Sequence, residues 1–337
     1  MKHAFVTAAS VSTALCFIWL VSVEAFVRHV STAAAIIIDV SSAPTQAVPV
    51  YFPSALISFH GFKSRKFTLA GSCLSFVSGV LLLSSGLQYF CAVFAFYVVN
   101  SAMIVYIWRH KHYMGGYVGG SNHPYPPLGI FRVAVKGFLP ALLCTCKSVL
   151  ARNHLMGPNC INCRIADVAF LSYVACCTGY GFSNELSSLR FAKPRLITTW
   201  RSVMPGVSGG VTLMGTAASA FGGGIIGLVF CVSFMLSPVR ELPTEAFAGY
   251  KWHIYLGMGV LAGLLGTCFG SLLGATLQYS GFDTVTNKVV SHANGSSIEH
   301  VTGIDLLDTS QIILVASTLT CAAFAAVAWL KLSYVLN

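Results

Sequence analysis

Hydrophobic positions fall in long blocks separated by short polar stretches. Nine apolar runs stand out, at 4–22, 26–40, 68–86, 87–108, 128–150, 164–183, 209–236, 253–278 and 311–333. Most approach or exceed the ~20 residues that a helix needs to cross a bilayer, whereas a barrel strand needs only ~10 alternating ones. Backbone polar groups in lipid are satisfied only by helices or closed barrels. The pattern therefore predicts an all-α, polytopic integral membrane protein with about nine transmembrane helices. The run at 26–40 is short and suits a re-entrant or interfacial segment. The run at 209–236 carries Gly222, Gly223 and Gly224, which predict a kink or break. The first run has the layout of a secretory signal, with Lys2 and His3, an apolar core, and Ser22-Val23-Glu24-Ala25 before Phe26. Its length suits an uncleaved anchor better, and no Arg-rich transit leader is seen. Two regions follow: residues 1–60 as signal-anchor-like hydrophobic segments, and 61–337 as one membrane domain.

Composition supports this reading. Only 9% of the 337 residues are charged, against about 25% in an average soluble domain. Hydrophobic residues make up 55%, and the mean hydropathy is +0.75. An ordinary soluble protein, a disordered chain and a coiled coil are excluded. The net charge of +10 comes from 20 basic and 10 acidic residues. The basic residues cluster between runs, at Lys63, Arg65 and Lys66, at Arg109 and Lys111, and at Arg190, Lys193, Arg195 and Arg201. With nine spans and a cytosolic N-terminus all three clusters are cytosolic, while Arg152 and Arg164 fall on the other side. Their expected partners are membrane lipids with anionic headgroups, not nucleic acid. The loop 279–310 is expected in the cytosol too, so the sequon Asn294-Gly295-Ser296 is predicted to carry no glycan. An endomembrane is favoured, with the organelle open.

Most of the 12 cysteines lie inside apolar runs, where they act as small hydrophobes. Cys160 and Cys163 form a C-x-x-C near His154; without a second pair this is half a zinc site, and a local disulfide fits if the loop faces an oxidising lumen. Lys136 and Asp167 are charges inside neighbouring runs, and they are predicted to pair. Gly259 and Gly263, then Gly266, Gly270 and Gly274, form two small faces on one helix and predict close helix packing.

The second half carries specific motifs. Cys176-Cys177-Thr178-Gly179 leads through Glu185 to Pro194-Arg195-Leu196-Ile197-Thr198-Thr199-Trp200, then Gly206-Val207-Ser208-Gly209-Gly210-Val211-Thr212. Gly263-Leu264-Leu265-Gly266 and Ser271-Leu272-Leu273-Gly274-Ala275-Thr276-Leu277-Gln278-Tyr279 follow, then His300-Val301-Thr302-Gly303 and Leu307-Asp308. This order resembles the transmembrane protein 19 family, also called domain of unknown function 92, whose plant relative is phytyl-phosphate kinase. The resemblance covers roughly residues 60–335 and is strong from 170 to 320. It implies a multi-span membrane protein. For the plant member it implies transfer of a phosphoryl group from a nucleoside triphosphate to an isoprenyl monophosphate. Joining two anions needs cations or a divalent metal, and Mg²⁺ needs one or two carboxylates.

The family supplies those acids in a Gly-Asp-Thr-Trp-Ala-Ser-Glu motif, an Asp-Ser, and a Leu-Asp-Asn-Asn stretch. Here the first reads Gly179-Tyr180-Gly181-Phe182-Ser183-Asn184-Glu185, Gly270 precedes Ser271, and the third reads Leu307-Asp308-Thr309-Ser310. A phenol stays protonated at neutral pH and does not replace a carboxylate on Mg²⁺. The acids left near the motif ends are Glu185, Asp305 and Asp308; Glu185 and Asp308 are the candidate catalytic and metal-binding acids. The resemblance leaves Lys193, Arg195, Arg201, Gly209, Gly210 and Gln278 as candidate substrate- or phosphate-binding residues. The bland alternatives are a cap or headgroup-level charge for Glu185 and an N-cap for Asp308, with Gln311 three residues on. The glycine cluster opens the 209–236 run either with free N–H groups suited to phosphate or as a flexible entry into the helix. Three functions stand: an Mg²⁺-dependent isoprenyl-phosphate phosphotransferase with altered acids, a non-catalytic lipid- or isoprenoid-binding or scaffold protein, and a transporter.

Overall fold

The computed structural model describes residues 44–113, 128–152, 161–187, 194–236, 252–285, 288–290 and 298–336. The runs at 4–22 and 26–40, and His154, Cys160, Lys193 and Asn294, lie outside the described residues.

Helix α1 (Pro44–Lys63) occupies a stretch without an apolar run of its own. Pro44 sits at its first position, where a missing N–H costs nothing. Pro49 and Pro53 deprive the helix of two interior donors, which obscures it in the sequence. It ends in a left-handed turn: Arg65 has φ 53, and the Lys66 N–H reaches back to the Gly61 carbonyl at 2.9 Å. Helix α2 (Leu69–Ser85) is capped by Thr68, whose hydroxyl accepts from the Gly71 N–H at 3.1 Å. Gly86, at φ 149, reverses the chain into α3 (Leu87–Tyr113). The next run forms α4 (Ile130–Val133), a π-helical turn (Ala134–Phe138) and α5 (Leu139–Arg152) in direct succession. Then come α6 (Ile161–Ser187), α7 (Leu213–Leu236), α8 (Trp252–Leu277) and α9 (Thr309–Leu336).

Counting α4 to α5 as one, the described residues hold eight helices, against the nine expected. Five are long and apolar enough to cross a membrane: Leu87–Ile107, Cys163–Ser187, Leu213–Leu236, His253–Leu277 and Thr309–Lys331. The fold is not wholly helical. Strands β1 (Arg195–Leu196) and β2 (Gly210–Val211) form an antiparallel pair between α6 and α7. Strands β3 (Ser280–Asp283), β4 (Lys288–Val290) and β5 (Ile298–Thr302) form a sheet of order β4-β3-β5 between α8 and α9. These pieces satisfy helix ends. The last carbonyls of α8 would be orphaned, but Ala275 accepts from the Thr302 hydroxyl, Thr276 from the Ile304 N–H and Leu277 from the Leu307 N–H.

Helices α6, α7, α8 and α9 make the tightest bundle. Lipid offers no hydrophobic drive between helices, so close backbone approach through small residues must supply the packing. A Cβ at Gly223 would lie 2.2 Å from the Gly259 carbonyl oxygen, and one at Gly263 would lie 2.4 Å from that of Ser219. On the second face, a Cβ at Gly266 would meet Cys176 Sγ at 2.2 Å. The two glycine faces expected of α8 therefore face α7 and α6. Phe170, Ile226, Ala262 and Ile312 fill the layer around them.

The intramembrane charges pair differently from the sequence expectation. Asp167 on α6 binds Lys147 on α5 at 2.8 Å, not Lys136, and accepts a further bond from the Tyr89 hydroxyl on α3. Lys147 also donates to that hydroxyl at 2.7 Å. The Tyr89 ring lies edge-on to Phe170 at 4.9 Å. The triad ties three helices at the end opposite the small sheets.

Two outcomes follow. Gly223→Leu should lower the thermal unfolding midpoint in detergent by overpacking worth about 1–3 kcal/mol, while Gly257→Ala, whose Cβ would meet nothing within 4 Å, should leave it unchanged or raised. Asp167→Asn or Lys147→Met alone should cost toward the low end of ~3–5 kcal/mol, since the pair keeps some solvent access. Replacing both should cost less than the sum, as read by the same unfolding measurement.

Candidate functional site

The candidate site lies where α6 ends and α8 and α9 meet the small sheets. Tyr180, Asn184 and Ser187 recur at helical spacing along one face of α6. The β1–β2 hairpin lays its corner on α8: Leu196 and Val207 bury against Ala275. Gly209, at φ 79, comes so close that a Cβ would lie 2.6 Å from the Ala275 nitrogen. The Ser208 N–H donates to Ser280 Oγ at 3.1 Å, and Gln278 Nε2 donates to Thr309 Oγ1 at 3.0 Å. Between them is a pocket of about 260 Å³, lined by Tyr180, Asn184, Ser187, Ser208, Gly209, Gly210, Gln278, Ser280 and Thr309, with Val207, Val289 and Val290.

Of the residues singled out from sequence, Gly209, Gly210 and Gln278 come together here. Arg195 and Arg201 are exposed and do not line the pocket. Strand alternation turns Leu196 inward and Arg195 outward. Asp308 is exposed at the start of α9, where its N–H is bonded by Gln311 Oε1 at 2.8 Å. That is one arm of a capping box, the bland alternative the sequence offered. Glu185 follows Asn184 but shares the helix face of Gly181, whose Cβ would lie 2.7 Å from Asn100 Oδ1 on α3. Its carboxylate acts electrostatically on Lys136. Neither acid lines the pocket, and among the described residues no three His, Cys, Asp or Glu side chains converge.

The glycine cluster also differs from expectation. Helix α7 begins at Leu213, after the glycines, and the Thr212 hydroxyl accepts from the Gly215 N–H at 2.9 Å. The Gly210 N–H is already bonded to Val207 and the Ser208 N–H to Ser280. The lining also offers side-chain amides and hydroxyls as donors.

One contact was not foreseen. A Cβ on Gly270 would lie 2.4 Å from the Tyr180 ring. The aromatic ring therefore fills the space beside residue 270, and Tyr180 lines the pocket together with Asn184. The sequence marks both positions as departures, but nothing in a linear reading joins residues ninety positions apart. The pocket donors are phenol, hydroxyls and amides. Mg²⁺ is held by one or two carboxylates with phosphates, so this lining does not fit it.

A family model described as integral membrane protein DUF92 matches residues 52–321. The chain belongs to this family. It is similar to Protein PGR of Arabidopsis thaliana, with 27% identity over 276 residues, or 79% of this chain and 91% of that protein. A 61-residue stretch is 43% identical to Uncharacterized membrane protein MJ0933 of Methanocaldococcus jannaschii, covering 18% of this chain and 26% of that protein. No solved structure matches. In this DUF92 member Tyr180 and Gly270 are one packing unit.

The coupling is measurable. Gly270→Ala should destabilise the protein by about 1–3 kcal/mol through the clash with the ring. In a Tyr180→Ala background it should cost little. A double-mutant cycle on unfolding midpoints should give a coupling within the ~0.5–3 kcal/mol typical of touching residues.

Proposed function

We propose that this DUF92 protein binds the phosphate end of an isoprenyl phosphate in the pocket between α6, α8 and α9, without transferring a phosphoryl group. The observation that carries the reading is Tyr180 packed on Gly270, an uncharged plug where the family pattern has two acids. Phosphoryl transfer between two anions needs their charges bridged. Without carboxylates to hold Mg²⁺, the lining supports recognition by neutral donors instead. Asn184, Gln278, Ser280 and Thr309 can donate to phosphate oxygens, and no carboxylate in the lining repels them. The basic segments at Lys63–Lys66 and at Arg195 and Arg201 border helix ends on the pocket's side. By the bias of basic residues toward the cytosol, this face is cytosolic.

The purified protein in lipid nanodiscs should give no diphosphate product from phytyl, geranylgeranyl or farnesyl monophosphate with Mg²⁺ and CTP, ATP, UTP or GTP. It should bind geranylgeranyl monophosphate saturably and without dependence on chelator. Asn184→Leu should weaken that binding about tenfold or more, the worth of one hydrogen bond to a charged group. Diphosphate that vanishes on Glu185→Ala or Asp308→Ala would replace this reading with phosphotransfer by the remaining acids.

A further inference from the structure

The second cavity is unlike the first. It lies between α1, α2, α3 and the α4–π segment, measures about 100 Å³, and has room for several groups the size of a methylene. Its wall is almost wholly apolar, with Phe67, Leu82, Phe90, Val93 and Phe94. Two cations interrupt it, Arg132 and Lys136, and no carboxylate lines it. At 1.5 Å per residue, Arg132 lies about 3 Å and Lys136 about 9 Å below the start of α4. That start is bonded to the basic Lys63–Lys66 turn, through the Leu128 N–H to the Lys66 carbonyl at 2.8 Å. The cations therefore stand at the headgroup boundary, with the apolar wall running deeper. Lys136 lies on the π turn, a helix irregularity that costs hydrogen-bond geometry and recurs at functional sites. Helix α1 packs on α2 and makes at most marginal contact with α3. Phe94, on the wall, is 42% exposed, so the cavity has a lateral opening toward the bilayer.

We infer that this cavity is a binding site for an anionic phospholipid, its phosphate on Arg132 and Lys136 and an acyl chain along Leu82, Phe90 and Phe94. Charges at this depth are costly unless paired or functional. Glu185, which does not line the cavity, acts electrostatically on Lys136. A phosphodiester supplies the missing negative charge, and a hydrocarbon chain matches the wall. The site is independent of the pocket at Tyr180.

The test is photo-crosslinking of the full chain in phosphatidylcholine nanodiscs, doped with phosphatidylglycerol carrying a photoactivatable acyl chain. Adducts are expected on the peptide spanning residues 87–108. The same label on phosphatidylcholine should give at least tenfold less. Arg132→Gln with Lys136→Met should lose the adduct at least tenfold, and Lys136→Arg should keep it. Gly137→Leu should block it by filling the cavity, since a Cβ there meets only Ser78 at 3.8 Å. If the double variant fails to fold, the contrast between Lys136→Arg and Gly137→Leu decides. Equal labelling by both lipids, or an adduct unchanged by Gly137→Leu, overturns the proposal. Displacement by excess inorganic phosphate would reduce the site to an ion site and overturn it as well. Geranylgeranyl monophosphate binding at the other pocket should survive Lys136→Met.

Discussion

Everything on the sheet-bearing face depends on how closely α7 and α8 approach. In lipid, side chains gain nothing by leaving one apolar medium for another, so van der Waals contact and backbone proximity carry association. Gly223, Gly259, Gly263 and Ser219 let the two backbones meet where any Cβ at Gly223 would overlap a carbonyl. The same helix turns its other glycines to α6. These contacts fix the relative heights of α6, α7 and α8. They therefore fix where Asn184, Gly209 and Gln278 meet. The polar pocket is a by-product of glycine placement deep in the membrane, not of local loop preferences.

The contact between Tyr180 and Gly270 follows the same logic. Two carboxylates at neighbouring positions in a protein interior are tolerable when a divalent cation neutralises them. An aromatic ring against a glycine needs no such ion and fills its own volume. Changing one position alone leaves either a clash or a cavity, so the two residues support each other. The lining that results keeps its glycines and offers neutral donors. Asp308, exposed at the start of α9, has its N–H bonded by Gln311 Oε1 in one arm of a capping box.

Legibility in the sequence tracked the range of the interaction. Long apolar runs predicted the later helices well, and the Asp308–Gln311 cap and the two faces of α8 were readable from spacing of three or four residues. Helix α1 was hidden because Pro49 and Pro53 imitate a loop, although a helix packed on α2 tolerates them. The small strands were hidden because two to five residues carry no period of their own. The pairing of Asp167 was assigned to Lys136 by hydrophobic run alone. Hairpin register would have corrected it. Asp167 lies six residues after the start of α6 and Lys147 five before the end of α5, so they share a depth. Lys136 lies about 16 Å further along its helix.

That depth argument also separates the two intramembrane cation sites. Lys147 reaches a carboxylate on the next helix at 2.8 Å and a phenol besides, so its charge is balanced within the bundle. A neutralised triad joining α3, α5 and α6 acts as a fastener, and it gives no ligand a foothold. Arg132 and Lys136 stand at the other end of the α4–α5 segment, on a cavity wall without acids, beside a helix irregularity. A pair of like charges near hydrocarbon repels itself as well as resisting burial. Fasteners remove that cost by pairing. A site that keeps it has left part of its electrostatic balance to be supplied from outside the chain, and at this depth the bilayer offers such a counter-charge as a lipid phosphate.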